Sequence, residues 1–281
     1  MEKVDVKTKL KTFMIINESF ACPANCPYCT AKITKWKRSP HDWRHLCEKL
    51  SRLHAKGASF EYLTISGNGE PALIELMTLD YIRSCYKKHE SMFDYARMQT
   101  CGEIFQPHQQ KKWEVVKDFI FEITRVDLDP VKNAEILRYI PYDHLENFRN
   151  SKIIFNLVLL KEKYKNIVED IKTLIQTFPN LITVNVKILN VNTLDNGDVS
   201  NPHSQWILQN GVSSDQRGEM EKLLSESFTQ APGYSDFADR YEWVLQGIPI
   251  TMYARRKEYG LTNIVYYNGK LTDYQQNELK I

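Results

Sequence analysis

Residues 12–29 read TFMIINESFACPANCPYC, and this stretch decides how the rest of the chain is interpreted. Its first part, Thr12–Asn17, is apolar and rich in β-branched residues, which predicts a buried strand. The cysteines Cys22, Cys26 and Cys29 follow that strand, ahead of the first segment with helical periodicity. We therefore expect three thiols in the loop at the carboxyl end of the first strand.

Beyond this stretch, apolar runs alternate with helix-like segments up to about residue 190. The other predicted strands are Phe60–Ser66, Tyr95–Thr100, Phe119–Thr124, Ile153–Leu160 and Ile182–Leu189. The predicted helices are His41–Lys56, Leu73–Lys88, His108–Trp113, Val131–Tyr139 and Tyr164–Phe178. Six βα units in succession predict an α/β fold with parallel strands, a partial (β/α)6-type TIM barrel whose chemistry lies at the carboxyl ends of the strands.

The C-terminal third follows a different pattern. Asn190–Val212 is rich in Asn, Asp, Ser and Gly and is interpreted as a long loop that can act as a lid. A helix over Ser214–Phe228 and strands over Tyr241–Tyr253 and Thr262–Tyr267 are predicted next, the last strand ending at the Asn268-Gly269 turn. We expect a core over residues 1–190 and a C-terminal α+β extension over residues 191–281 that caps or flanks it.

Bulk composition excludes several classes of protein. The 281 residues carry a formal net charge of +2, too small for a protein built mainly to coat nucleic acid. The sequence has no apolar stretch near the ~18 residues of a membrane span, and its N-terminal residues do not resemble a secretion signal. The expected location is the cytoplasm, where clustered thiols bind metal more often than they form disulfides.

The three clustered cysteines fit a metal site with an open position. Iron–sulfur clusters are held by cysteine thiolates, and three thiolates leave one iron of a cubane without a protein ligand. A structural zinc site is the alternative, and it needs a fourth ligand such as His41 or Cys47. A disulfide within the trio leaves one cysteine over.

The CxxxCxxC spacing, with the aromatic Tyr28 before the last cysteine and a strand before the first, resembles the radical S-adenosylmethionine (SAM) superfamily. The resemblance implies that Cys22, Cys26 and Cys29 bind a [4Fe-4S] cluster, whose fourth iron chelates the amino and carboxylate groups of SAM. It also implies that Tyr28 contacts the adenine. In that family, reductive cleavage of SAM yields a 5′-deoxyadenosyl radical that takes a hydrogen atom from the substrate.

A second resemblance follows the second predicted strand. Gly67-Asn68-Gly69-Glu70-Pro71 is similar to the GGEP segment of the same family, with Asn68 where that family often has glycine. The resemblance implies that this segment meets the SAM amino group. Glycine lets a backbone approach a ligand closely, and a glutamate suits an ammonium group. An ordinary strand-to-helix turn is the alternative.

Later strands offer further candidates for SAM contact. On the fourth strand, Glu122 and Thr124 share a face by alternation, whereas Arg125 lies on the other face if the strand continues. For each, the alternative is exposure to solvent or a salt bridge between helices. The fifth strand lacks the family's GxIxGxxE pattern, so only Asn156 and Val158 are candidates there. Lys187 on the sixth strand is interpreted as facing an edge, with an anion contact as the alternative.

The type of reaction is less constrained by the sequence. Cys47, Cys85 and Cys101 are too scattered for an auxiliary cluster, so a single-cluster enzyme is expected. Cys101, at the end of the third strand, is a candidate hydrogen-atom donor. Basic residues and Trp36 within residues 32–38 favour a small anionic substrate, unless this segment is simply a solvated loop. The electron donor is expected to be a flavodoxin or ferredoxin.

Two other functions remain open at this stage. A radical SAM enzyme that modifies RNA or DNA can use the same basic residues, and its binding of oligonucleotide is expected to weaken steeply with salt. A non-catalytic iron–sulfur or zinc-binding protein is the alternative of another class. Gly69-Glu70-Pro71 argues against it, because a structural metal site has no use for this segment.

Overall fold

The computed structural model describes residues 9–17, 21–29, 43–189, 200–231, 238–256, 263–267, 269–272 and 278–279. Its strands are β1 (Leu10–Asn17), β2 (Phe60–Gly67), β3 (Phe93–Thr100), β4 (Ile120–Arg125), β5 (Lys152–Leu159), β6 (Leu181–Ile188), β7 (Thr229–Gln230), β8 (Ala238–Leu245), β9 (Ile248–Arg256), β10 (Asn263–Tyr267) and β11 (Lys270–Thr272). Its α-helices are α1 (Leu46–Ala55), α2 (Leu76–Lys88), α3 (Gln110–Val116), α4 (Pro130–Leu137), α5 (Glu146–Arg149), α6 (Ile167–Thr177), α7 (Pro202–Asn210) and α8 (Ser214–Ser227). The six predicted βα strands are confirmed to within two residues at each end.

The chain forms two compact units. Unit 1 comprises residues 1–22, 35–121 and 258–281, and unit 2 comprises residues 23–34 and 122–257. In unit 1 the strand order is β11-β10-β1-β2-β3, with β10, β1, β2 and β3 parallel and β11 antiparallel to β10. In unit 2 the order is β4-β5-β6-β9-β8-β7. Strands β5, β6 and β9 are parallel, β8 is antiparallel to β9, and β7 is antiparallel to β8. The predicted α/β class with a mostly parallel sheet is confirmed.

The sheet of unit 1 has one apolar and one polar face. Phe13, Ile15, Leu63 and Ile65 are fully buried. Helices α1 and α2 supply matching apolar stripes: Leu46, Leu50, Leu53, Leu79 and Ile82. Register partners in neighbouring strands lie on the same face. The other face therefore carries a polar set: Thr12, Tyr62, Thr64, Ser66, Tyr95, Arg97 and Gln99.

Two predictions for the C-terminal third are wrong in part. The predicted loop Asn190–Val212 contains α7, because Asn201 caps a helix that Pro202 begins: its side-chain oxygen accepts from the Ser204 amide at 2.8 Å. Residues 190–199 lie outside the described part of the chain. The predicted strand Tyr241–Tyr253 is a hairpin, since Gln246 and Gly247 both have positive φ and reverse the chain between β8 and β9.

Other predictions fall on residues outside the described ranges. They include the start of the first predicted helix at His41, the basic segment 32–38 and Asn268 of the last turn. The turn is followed by β11, which the sequence analysis did not predict. Within the described residues, no helix is long and apolar enough to cross a membrane.

A pair of histidines joins α1 to the end of α2 in unit 1. His54 Nδ1 lies 3.2 Å from His89 Nδ1, and His89 Nε2 lies 3.0 Å from the Ser51 hydroxyl. One imidazole must donate to the other, which requires at least one to be neutral. Burial lowers the pKa of His89 below its ordinary 6.5, and the nearby His54 and Lys88 lower it further.

We expect this pair to make stability depend on pH. As pH falls below about 6.5, the unfolded chain takes up a proton that folded His89 resists, so the free energy of unfolding decreases as pH falls through the folded pKa. Urea unfolding at neutral pH and at about pH 5 measures this decrease. A His89→Gln variant should show a smaller decrease in the free energy of unfolding. The control is His144→Gln, at an exposed position, and it should show the same decrease as the wild type. Equal pH dependence in all three proteins would contradict the assignment.

Candidate functional site

Glu70 organises the carboxyl ends of three strands in unit 1. Its side chain is 1% exposed. One carboxylate oxygen accepts from the Ala72 amide at 3.0 Å and the Thr100 hydroxyl at 2.6 Å, and the other accepts from the Cys101 amide at 2.7 Å. Burial raises the pKa of Glu70, while the bonds from Thr100, Cys101 and Ala72 act in the opposite direction. The predicted Gly-Glu-Pro segment is thus built around a fixed, buried carboxyl group.

The backbone of Glu70 is fixed as well. Its amide donates to the Ala21 carbonyl at 2.8 Å, and its carbonyl accepts from the Asn17 side-chain amide at 2.9 Å. Pro71 begins a short 3-10 helix, Pro71–Leu73, that Glu70 caps. The segment therefore connects the end of β2 to the residues that follow β1 and to the end of β3.

Gly67 and Asn68 lie close against the end of β1. Gly67 has φ +120°, and a Cβ placed there would lie 2.7 Å from Ile16 Cγ2 and 2.9 Å from the Asn17 amide nitrogen. The Asn68 amide donates to the Asn17 carbonyl at 2.9 Å. The side-chain nitrogen of Asn68 is buried and has no hydrogen-bond partner among the described residues. Position 67 therefore requires glycine because its backbone packs closely against the end of β1. The next residue, Asn68, has a buried side-chain donor that is unsatisfied.

Cys22 and Cys101 meet this carboxylate. Among the described residues, one group of three metal-type ligands has its ligand atoms within 4.8 Å of one another: Cys22, Glu70 and Cys101. Contact with Cys22, burial and the charge of Glu70 raise the pKa of the Cys101 thiol. Cys101 lies just after β3, as predicted. The cysteine motif and the Gly-Glu-Pro segment thus converge in unit 1, although some fifty residues separate Cys22 from Glu70 in the sequence.

Cys26 and Cys29 belong to unit 2. Their loop is held by the Asn25 amide, which donates to the Leu137 carbonyl at 2.8 Å, and is closed by the Cys29 amide, which donates to the Cys26 carbonyl at 3.2 Å. Cys26 and Tyr28 pack against a hydrophobic cluster of Val126, Leu137 and Val158. Val158, a candidate for lining the site, is part of this cluster.

The Tyr28 ring is an anchor within unit 2. Its hydroxyl is buried without a hydrogen-bond partner in the described part of the chain. Burial raises the pKa of this phenol strongly, and the thiols of Cys26 and Cys29 raise it further. Because the ring points into the cluster, a ligand at the loop would meet the backbone of Tyr28 rather than its hydroxyl.

A ladder of polar side chains crosses four strands of unit 2. The Thr251 hydroxyl donates to Asn185 Oδ1 at 2.6 Å, Asn185 Nδ2 donates to Asn156 Oδ1 at 3.1 Å, and Asn156 Nδ2 donates to Glu122 Oε1 at 2.7 Å. The structure therefore joins the predicted residues Glu122 and Asn156. It adds Asn185 and Thr251, which the sequence analysis missed because single polar residues in apolar strands gave no distinguishing pattern.

Arg125 and Thr124 have different environments. Arg125 is 1% exposed and forms an ion pair with Asp143. Its guanidinium lies 5.3 Å from the centre of the Phe155 ring and donates to the Leu128 carbonyl at 3.0 Å. The salt-bridge interpretation of Arg125 is confirmed. Thr124 is half-buried on the same face of β4 as Glu122, as alternation predicts, and Lys187 is half-buried on β6.

The donor set fits an iron–sulfur cluster and SAM. Cys22, Cys26 and Cys29 form no disulfide and are at least partly exposed, and cysteine thiolates are the ligands that iron–sulfur clusters use. Asn68, two residues before Glu70 in the sequence, offers an unsatisfied buried donor. Cys47, the alternative fourth zinc ligand, lies on α1 and belongs to no metal-type group of described residues; His41 lies outside those residues.

Comparison with solved structures defines the class of this fold. The structural neighbours are radical SAM enzymes, which are partial TIM barrels, and the subfamily is not identified. A structure of anSMEcpe with bound AdoMet and the Cp18Cys peptide matches 77% of this chain with a TM-score of 0.50 and 16% identity. At this identity the similarity establishes the fold, which confirms the fold class predicted from the sequence.

Two further neighbours are similar at lower scores. Escherichia coli coproporphyrinogen III oxidase (HemN), a radical SAM enzyme, matches 82% of this chain at 12% identity and a TM-score of 0.47. Streptococcus suis SuiB bound to the precursor peptide SuiA matches 63% of the chain at 16% identity and a TM-score of 0.47. The chain spans 59% of anSMEcpe, 55% of HemN and 39% of SuiB. No family model matches the sequence, and no curated protein matches it.

We expect a Gly67→Ala substitution to reduce the free energy of unfolding by about 2 kcal/mol or more, because the new Cβ meets backbone and the positive φ disfavours an L side chain. Gly218→Ala is the matched control. It lies on α8 with open space around its Cβ position and should gain about 0.5–1 kcal/mol. Chemical denaturation measures both values, and equal effects would show that Gly67 is not sterically required.

Proposed function

We propose that this chain is a radical SAM enzyme. The observation that carries the proposal is the convergence in unit 1 of Cys22 with the buried Glu70 carboxylate. Two motifs that are separate in the sequence meet at the carboxyl ends of parallel strands, where α/β folds place their active sites. A structural metal site has no need of the second motif.

Different residues would bind the cluster and the separate parts of SAM. Cys22, Cys26 and Cys29 would hold a [4Fe-4S] cluster. Gly67–Pro71 would receive the SAM amino group, with Glu70 fixed by its three donors and Asn68 supplying an unsatisfied amide. The backbone of Tyr28 would face the adenine. The chemistry that the bound cluster and SAM supply is reductive cleavage of the sulfonium bond, followed by hydrogen abstraction from a substrate.

Further polar contacts to SAM are proposed for Glu122, Thr124 and Asn156. The ladder supports this role, because every hydrogen bond in it points toward Glu122 and so fixes the carboxylate before any ligand binds. Preorganised groups of this kind orient a ligand without the cost of rearranging side chains. Cys101 remains a hypothesis as a hydrogen-atom donor.

We propose a small anionic molecule as the substrate. The supporting observation is Arg97, a half-buried cation on the polar face of the unit 1 sheet. Its guanidinium lies 3.8 Å from the Tyr62 ring, and its Nε donates to the Thr64 hydroxyl at 2.9 Å. A guanidinium held in this way suits a carboxylate or phosphate group. Peptide-bound SuiB and anSMEcpe make peptides a second set of compounds to test.

We propose residues 1–190 as the core and residues 191–281 as an extension beside it. The pairing of β9 with β6 and of β10 with β1 supports an extension that lengthens the sheets at their edges. A flavodoxin or ferredoxin in the cytoplasm would supply electrons.

The central test is SAM cleavage by anaerobically reconstituted protein. With dithionite and SAM, we expect the wild type to release 5′-deoxyadenosine, measured by chromatography, and the Cys26→Ala variant to release none because one cluster ligand is lost. Cys47→Ala is the matched control: it should keep iron and activity, whereas a zinc site with Cys47 as its fourth ligand would lose its metal. Uptake of zinc without iron by the wild type would overturn the proposal.

If 5′-deoxyadenosine forms, turnover can be screened with carboxylated or phosphorylated metabolites, oligonucleotides and peptides. An Arg97→Gln variant should raise KM for an anionic substrate while leaving SAM affinity unchanged. Turnover of oligonucleotide alone, with binding that weakens steeply as salt rises, would identify the nucleic-acid alternative and contradict the small-molecule proposal.

A further inference from the structure

Helix α7 contacts the cysteine loop directly, and both lie in unit 2. His203 Nε2 is 2.8 Å from the Tyr28 carbonyl oxygen. A carbonyl oxygen can only accept, so this ring nitrogen carries the hydrogen and donates it. One helical turn further on, the Trp206 ring lies 5.4 Å from the Tyr28 ring, centre to centre. Two side chains on one face of α7 thus contact the residue before Cys29.

The hydrogen bond from His203 continues through the loop. It ends on the carbonyl of the Tyr28–Cys29 peptide, and the amide of that same peptide donates to the Cys26 carbonyl at 3.2 Å. Hydrogen bonds in series through one peptide group polarise and strengthen one another. The turn that sets the separation of Cys26 and Cys29 is therefore closed by a chain that starts at His203.

Helix α7 is itself fixed at both ends. At the start, Asn201 caps the helix through the Ser204 amide. At the end, the Asn210 carbonyl accepts from the Lys161 amide at 2.9 Å, and Gly211 pairs with Leu160 next to the end of β5. Because His203 is also buried, the helix is a fixed support for the cysteine loop.

We propose that His203 and Trp206 are positioning residues for the iron–sulfur cluster. They hold the Cys26–Cys29 turn through the carbonyl and the ring of Tyr28, and so set the stability and reduction potential of the cluster. The inference rests on the proposed function, because it requires that Cys26 and Cys29 ligate iron. Partners of this kind orient metal ligands, and their loss typically lowers metal affinity 10–100-fold.

The test compares His203→Phe with His203→Gln, whose side-chain amide still donates to the Tyr28 carbonyl. In reconstituted protein, His203→Phe should lose iron to a chelator about tenfold faster than the wild type, the lower end of the range for such partners. Its cluster potential, measured by redox titration with electron paramagnetic resonance, should also shift. His203→Gln should stay near the wild type in both measurements, and His144→Gln, at an exposed position, should match it.

Hydrogen exchange in the cluster-free protein gives an independent readout. Because the Cys29 amide is held by the same chain of bonds, it should exchange faster in His203→Phe than in the wild type, while the amides of β5 stay protected. Trp206→Leu should show the same local effect and serves in place of His203→Phe if that variant does not fold.

Unchanged iron release, potential and exchange in His203→Phe would overturn the inference, as would equal losses in His144→Gln. If the wild type takes up no iron, the proposed function and the role toward a cluster are both refuted, even where Cys29 exchanges faster in His203→Phe. Faster exchange together with normal iron release would show that α7 holds the loop but not the cluster.

Discussion

The buried carboxylate of Glu70 is the constraint on which the predicted site in unit 1 depends. An ionised carboxylate with 1% exposure is costly unless donors surround it, and here two amides and one hydroxyl do so. Those donors come from the residues after β2 and from the end of β3, and the backbone of Glu70 joins the end of β1. Satisfying one acidic group thus fixes where three parallel strands end, and places Cys22 and Cys101 beside it.

In unit 2, a series of hydrogen bonds between side chains on neighbouring strands satisfies the buried polar groups. Thr251, Asn185 and Asn156 each donate to the next residue, and the last bond ends on Glu122. The direction is forced, because a carboxylate at one end can only accept and each amide must then present its oxygen to the residue before it. Thr251 lies on β9, so the C-terminal part of the chain helps to position a residue of β4 that was predicted to contact SAM.

The strand positions were predictable because buried parallel strands are short, nearly continuous apolar runs that the alternating helices separate clearly. The same criterion failed at Tyr241–Tyr253, where apolar residues on both sides of Gln246-Gly247 concealed a hairpin. It failed again at Asn190–Val212, where a polar composition concealed α7. A nine-residue helix with few apolar positions depends on its cap and on tertiary packing, which composition does not report.

The sequence by itself determined the α/β class, the cysteine spacing and the position of Gly-Glu-Pro after the second strand, because these depend on local periodicity and on residues close together in the chain. Only the tertiary structure decided that Tyr28 turns its ring into a hydrophobic cluster and that His203 supports its carbonyl. It also decided that Asn185 and Thr251 complete the ladder to Glu122. Each of these contacts joins residues between 29 and 175 positions apart, and which polar side chain meets which is set by strand register and helix docking.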